Sequence, residues 1–143
     1  MAVDGPKADG ILVVDDQQMM RDLIASMCKS LGFADVCVAA TGSEAIEMMI
    51  EQPFRLIMSD WKMKPMSGLD LLRVVRTDGR LQGTKFLMMT THANSDFLIA
   101  AKSCGVDGFI LKPFTKQALS DKISRTLGIA AIQFGKEAPT KGL

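Results

Sequence analysis

The chain alternates short apolar runs with longer amphipathic stretches. Ile11-Leu12-Val13-Val14 is continuous, with no polar residue to face water, and it stops at Asp15-Asp16. Such a run reads as a strand buried on both faces. Met20, Leu23, Ile24, Met27 and Leu31 then recur at three- and four-residue steps, predicting a helix that ends at Gly32. Val36–Ala39 predicts a second strand, and Thr41-Gly42-Ser43-Glu44 is a capping box opening a helix with Ala45, Ile46 and Met49 inward. Leu56-Ile57-Met58 is a third apolar run leading to Asp60. Ser67-Gly68-Leu69-Asp70 is another capping pattern, whose helix carries Leu69, Leu72 and Val75 to a break at Asp78-Gly79. Phe86–Met89 runs into Thr90, a helix over Ser95–Cys104 ends at Gly105, and Phe109-Ile110-Leu111 is closed by Lys112-Pro113. Leu119, Ile123 and Leu127 form the stripe of a last helix from Thr115 to Leu127.

Five strand–helix units with near-continuous apolar strands predict an α/β fold, a parallel sheet covered by helices on both sides. Right-handed crossovers leave only a few doubly wound strand orders. In these sheets the ligand site lies beyond the carboxyl ends of the strands.

Composition narrows the function classes. The 143 residues suit one domain, expected over residues 10–127, with a loose nine-residue leader and a tail over 128–143 too short for an output domain. With 48% hydrophobic and 23% charged residues the chain resembles a soluble protein, expected in the cytoplasm. A net charge of +1 argues against a basic face for nucleic acid and against a polybasic membrane patch. No apolar run reaches the length of a membrane span, and the first ten residues lack the apolar stretch of a secretory signal. Cys28, Cys37 and Cys104 are far apart and accompanied by one histidine, His92, so they read as free thiols in a reducing compartment and not as a zinc site. Most of the eleven methionines are expected in the core.

The strand ends carry the chemistry. Asp15-Asp16, Asp60, Thr90 and Lys112 each stand at the carboxyl end of a predicted strand, on one edge of the sheet. A single aspartate there reads as a turn former or helix cap. Three carboxylates converging with one lysine instead leave a negative cluster that a hard divalent cation would neutralise. Mg²⁺ suits it, because it takes one or two carboxylates, keeps waters and accepts phosphate oxygens.

At these residues the sequence resembles a known family. Asp15-Asp16 after an apolar strand, Asp60-Trp61-Lys62-Met63-Lys64-Pro65-Met66-Ser67-Gly68, Thr90, and Lys112-Pro113-Phe114 are similar to the receiver domain of bacterial response regulators, and most of all to its single-domain, CheY-like members. The spacings agree: 44 residues from Asp16 to Asp60, 30 from there to Thr90 and 22 more to Lys112. The resemblance spans Gly10 to Leu127 and implies a flavodoxin-like three-layer sandwich with strand order 2-1-3-4-5. It implies that Asp60 is the phosphoacceptor for a sensor histidine kinase. Asp16 and Asp60 would bind Mg²⁺ directly and Asp15 through water, with the backbone carbonyl of Lys62 completing the protein's share. Lys112 would pair with a phosphoryl oxygen, aimed inward by a cis Lys112–Pro113 bond. Thr90 would move toward the phosphoryl group as Phe109, at the aromatic switch position, rotates inward.

The chain also departs from the family pattern. Phe109 replaces the familiar tyrosine, so a readout through that hydroxyl is absent. Pro65 comes one place late, with Lys64 in its stead. Lys62 and His92 lie two residues beyond Asp60 and Thr90, where side chains tune phosphoryl lifetime, and Thr91 is bulkier than the frequent alanine. Trp61 is expected to be half-exposed and to serve as a fluorescence reporter. The resemblance implies a stand-alone signalling module, not an enzyme beyond its own phosphoryl transfer and slow dephosphorylation. A downstream protein such as the flagellar switch would bind it, with the module a monomer or a phosphorylation-dependent dimer. The alternative is a phosphorelay intermediate, or a phosphate sink, that exchanges phosphoryl groups with a phosphotransferase and has no effector. An aspartyl-phosphate hydrolase is disfavoured, since no Asp-x-Asp-x-Thr follows a strand.

Overall fold

The computed structural model describes residues 10–92 and 94–129. The chain runs β1 (Ile11–Val14), α1 (Gln18–Ser30), β2 (Val36–Ala39), α2 (Gly42–Glu51), β3 (Leu56–Asp60), α3 (Gly68–Thr77), β4 (Lys85–Thr90), α4 (Ser95–Ser103), β5 (Gly108–Leu111) and α5 (Lys116–Leu127). All neighbouring strands pair in parallel, in the order β2-β1-β3-β4-β5. This is the doubly wound sheet the apolar runs predict. The expected leader and most of the tail lie outside the described residues.

Strand alternation sorts each strand's side chains to two cores. Leu12, Val14, Ile57, Phe86 and Met88 meet Ala45, Met49, Leu71, Leu72 and Val75 from α2 and α3. Ile11, Val13, Leu56, Met58, Leu87 and Met89 face the other way, onto Ile24 and Cys28 of α1 and Leu119 and Ile123 of α5. Both faces are buried, which is why the strands contain no polar alternation. Methionines 49, 58, 63, 88 and 89 are buried and Met19 is exposed. Cys28, Cys37 and Cys104 are free, and burial pushes the Cys28 thiol up to about 12.

Caps set the helix starts. Ser67 and Asp70 form a complete capping box at α3. At α2, Thr41 accepts from the Glu44 N–H, but the Glu44 carboxylate reaches back one residue further, to the Ala40 N–H. Asn94 and Thr115 cap α4 and α5. Gly128, at φ 69°, takes the left-handed turn that ends α5.

Several side chains sit differently from the sequence expectation. Leu23 is 52% exposed, because the inward stripe of α1 is narrow and centred on Ile24 and Cys28. In α3 the fully buried residue missing from the expected stripe is Leu71, whereas Leu69 is only partly covered. Trp61, expected half-exposed, is buried at 9% exposure with its ring stacked on Phe97. The inward face of α5 includes Ser120 and Ser124, whose hydroxyls are buried without a hydrogen-bond partner among the described residues.

Candidate functional site

Register brings the strand ends level. Val14 pairs with Ser59, and Asp60 with Met89, so Asp15, Asp60 and Thr90 emerge side by side at the carboxyl edge. Ligand atoms of Asp15, Asp16 and Asp60 all lie within 4.8 Å of one another. Lys112, after β5, reaches across the edge: its Nζ lies 3.0 Å from Asp60 Oδ1 and 3.3 Å from Asp15 Oδ2.

Each carboxylate has its own environment. Asp15 is fully buried; its carboxylate accepts from the Gln17 N–H at 2.9 Å, and its backbone carbonyl accepts from Arg21 Nη1 at 2.9 Å. Asp16 is exposed. Asp60 is nearly buried, and burial is the main force holding its carboxyl above the usual range. The charges of Asp15 and Asp16 push the same way, while the hydrogen bond and charge of Lys112 oppose them. The site thus holds more negative charge than its lysine balances, in a donor set made of oxygen. That chemistry fits a hard divalent cation such as Mg²⁺.

Gly68 makes the edge compact. A Cβ there would run into the Asp60 carbonyl oxygen and lie 2.9 Å from Met88 Sδ. The Gly68 N–H donates to the Trp61 carbonyl at 2.8 Å, locking the start of α3 against the residue after Asp60. The Lys112–Pro113 bond is cis, and so is Lys64–Pro65, in the loop where proline comes late.

Thr90 is buried, with its hydroxyl turned to the following loop. It donates to the His92 carbonyl at 2.9 Å and accepts from the His92 N–H at 3.0 Å. His92 and Thr91 are exposed, and their side chains contact one another at 3.0 Å. Lys62 is exposed and lines a cleft of about 330 Å³ over Asp60, together with Thr90, Thr91 and Lys112. Gln17 and Met20 line it too. Sequence reasoning missed both, and also Arg21. Their only signal was position, one residue after the strand-end Asp16 for Gln17 and four and five residues after it for Met20 and Arg21.

Residues 11–124 match the family described as the response regulator receiver domain. The chain belongs to that family. It is 42% identical over 115 residues to the chemotaxis protein CheY of Pseudomonas aeruginosa, covering 80% of this chain and 93% of that protein. It is 39% identical over 119 residues to the chemotaxis protein CheY1 of Helicobacter pylori, covering 82% and 96%. Among solved structures, chemotaxis protein CheY4 of Vibrio cholerae superposes with a TM-score of 0.79 at 29% identity, over 83% of this chain and 98% of that one. The fold and the acidic cluster are therefore those of a CheY-like receiver.

A second feature of this receiver lies beside the first. Phe109 is half-buried on β5 and lines a groove of about 680 Å³ between α4, β5 and α5. Thr90 borders that groove as well as the cleft over Asp60, so one side chain touches both. Leu111, 51% exposed, gives the groove an apolar rim. No described helix is long and apolar enough to cross a membrane.

Proposed function

We propose that this receiver accepts a phosphoryl group on Asp60 from a sensor histidine kinase and thereby switches its binding to a downstream protein, in a chemotaxis-type pathway in the cytoplasm. The observation that carries the reading is the gathering of Asp15, Asp16, Asp60 and Lys112 at one sheet edge. A carboxylate oxygen of Asp60 attacks phosphorus, forming an acyl phosphate. The P–N bond to the donor imidazole breaks, its electron pair returns to nitrogen, and that nitrogen takes a proton from solvent. Mg²⁺, held by Asp16, Asp60 and the Lys62 backbone carbonyl, with Asp15 acting through water, would neutralise charge on the phosphoryl oxygens. Asp15 suits the indirect role because its carboxylate already accepts from Lys112 and the Gln17 N–H. Lys112 follows the charge, moving from the carboxylates to a phosphoryl oxygen.

Thr90 carries the event outward. Its hydroxyl trades the two bonds to His92 for one to the phosphoryl group, which frees the loop leading to α4 and opens space for Phe109. The groove between α4, β5 and α5 is the surface that changes, and an apolar contact through Phe109 and Leu111 would serve the partner. Relatives named as chemotaxis proteins support this reading over a phosphate sink. The receiver is a signalling module whose only chemistry is its own phosphorylation and slow dephosphorylation.

Phosphorylation with a small phosphoramidate donor and Mg²⁺, read by intact mass, tests the assignment. One phosphate is expected on the natural chain and none on Asp60→Asn. Asp16→Ala should lose most phosphorylation and its Mg²⁺ dependence, whereas Lys112→Ala should keep metal binding and lose switching. A phosphate that persists at the same rate in Asp60→Asn overturns the reading.

A further inference from the structure

We infer that the Trp61–Phe97 stack ties helix α4 to the Asp60 end of β3 and sets that helix's resting position. Trp61 follows Asp60 directly, and its backbone is pinned on both sides. Its N–H donates to the Met89 carbonyl at 2.8 Å and its own carbonyl accepts from the Gly68 N–H at 2.8 Å. The indole is therefore fixed to the sheet and to α3 at once. Its ring is buried against Phe97, with centroids 4.9 Å apart and planes inclined by 27°, a stacked pair.

Helix α4 has little else to hold it. Ala101 is its one fully buried residue, and Ser95, Asp96, Ile99, Lys102 and Ser103 are exposed. Phe97 sits in its first turn, where the N–H is capped by Asn94 Oδ1 at 2.9 Å. Two ties thus run from the site to the start of α4. The polar tie is the pair of bonds between the Thr90 hydroxyl and the His92 backbone. The apolar tie is the ring stack. A charge change at Asp60 competes for the Thr90 hydroxyl but has nothing to offer two rings, so the stack persists while the polar tie breaks. It acts as the fulcrum about which α4 moves, with Trp61 and Phe97 as positioning residues. The link to signalling rests on Asp60 being the phosphoacceptor.

Amide hydrogen exchange on the full chain tests this, with Phe97→Leu removing the ring while keeping an apolar side chain. In unphosphorylated protein, the α4 amides of Phe97→Leu should lose roughly three- to tenfold protection, the equivalent of an aromatic pair's energy, with β3, β4 and α5 amides unchanged. Trp61→Phe keeps two rings in contact and should hold α4 protection near the natural level. It carries the test if Phe97→Leu fails to fold, with Trp61→Leu as the ring-free counterpart. Phosphorylation should then leave α4 looser in Phe97→Leu, which has lost both ties, than in the natural chain, where the stack persists. Unchanged α4 exchange in Phe97→Leu, or a loss spread evenly over the fold, overturns the role of the stack. A natural chain that gains no phosphate by intact mass overturns the phosphoacceptor reading, and the comparison of unphosphorylated proteins still decides the stack.

Discussion

Replacing Asp60 by asparagine should make the folded protein more stable while abolishing its proposed chemistry. At an effective dielectric constant of about 20, charges within 4.8 Å repel by at least roughly 3.5 kcal/mol per pair. Asp60 has two such neighbours, Asp15 and Asp16, and the exposure of Asp16 screens its share. Lys112, at 3.0 Å, returns about 5.5 kcal/mol on the same scale and keeps Asp15 as a partner in the variant. The balance, with burial of the carboxylate added, is a net cost of about 1–2 kcal/mol for carrying a third charge. In metal-free buffer at neutral pH, Asp60→Asn should therefore raise the urea midpoint, by the equivalent of about 1–2 kcal/mol. The pH dependence fixes the cause. Asp60's carboxyl is raised in the folded state, so its penalty is complete above that folded value. The penalty fades as pH falls through the folded value toward that of an unfolded aspartate, because protonation then does what asparagine does. The advantage of the variant should shrink over that interval, and adding Mg²⁺ should also shrink it by stabilising the natural chain selectively. A variant no more stable than the natural chain at neutral pH without metal, or an advantage indifferent to pH, would refute the electrostatic account.

Three other outcomes follow from the packing. Gly68→Ala forces a methyl group against the Asp60 carbonyl, so it should cost about 1–3 kcal/mol in urea unfolding and slow phosphorylation by displacing the strand end. Arg76 donates to the carbonyls of Gln82, Thr84 and Gly105 and pairs with Asp107 at 2.6 Å, joining α3 to the loop that follows it and to the loop between α4 and β5. Arg76→Ala should cost about 2–3 kcal/mol in the same assay yet leave phosphorylation of the folded protein intact. Ser124→Ala removes a buried hydroxyl with no partner among the described residues and should be neutral or stabilising by up to about 1 kcal/mol; a clear loss of stability would show that the hydroxyl is satisfied.

The sheet was legible because parallel strands buried on both faces have to be written as unbroken apolar runs. Four of the five runs also end at a candidate site residue: Asp15, Asp60, Thr90 and Lys112 were found by where the hydrophobicity stops. Helix faces were less legible. Leu23 fits the spacing of an inward position, yet α1 lies with it in solvent, and Leu71 is buried beside the expected Leu72. A helix buries a stripe whose width depends on the crossing angle and on what covers it, and neither is a property of the helix alone.

The sequence by itself determined the order of elements, the sheet edge that carries the chemistry and the residue types gathered there, since these depend on periodicity and on position along a strand. Only the tertiary structure decided which groups touch. It put Lys112 between Asp60 and Asp15, turned the Thr90 hydroxyl onto the His92 backbone, and closed Gly68 onto the Asp60 carbonyl. It also buried Trp61, because the residue that covers its ring, Phe97, lies 36 positions further along the chain. Contacts of that kind are set by how α4 folds back over the sheet, and no local pattern around Asp60 carries that information.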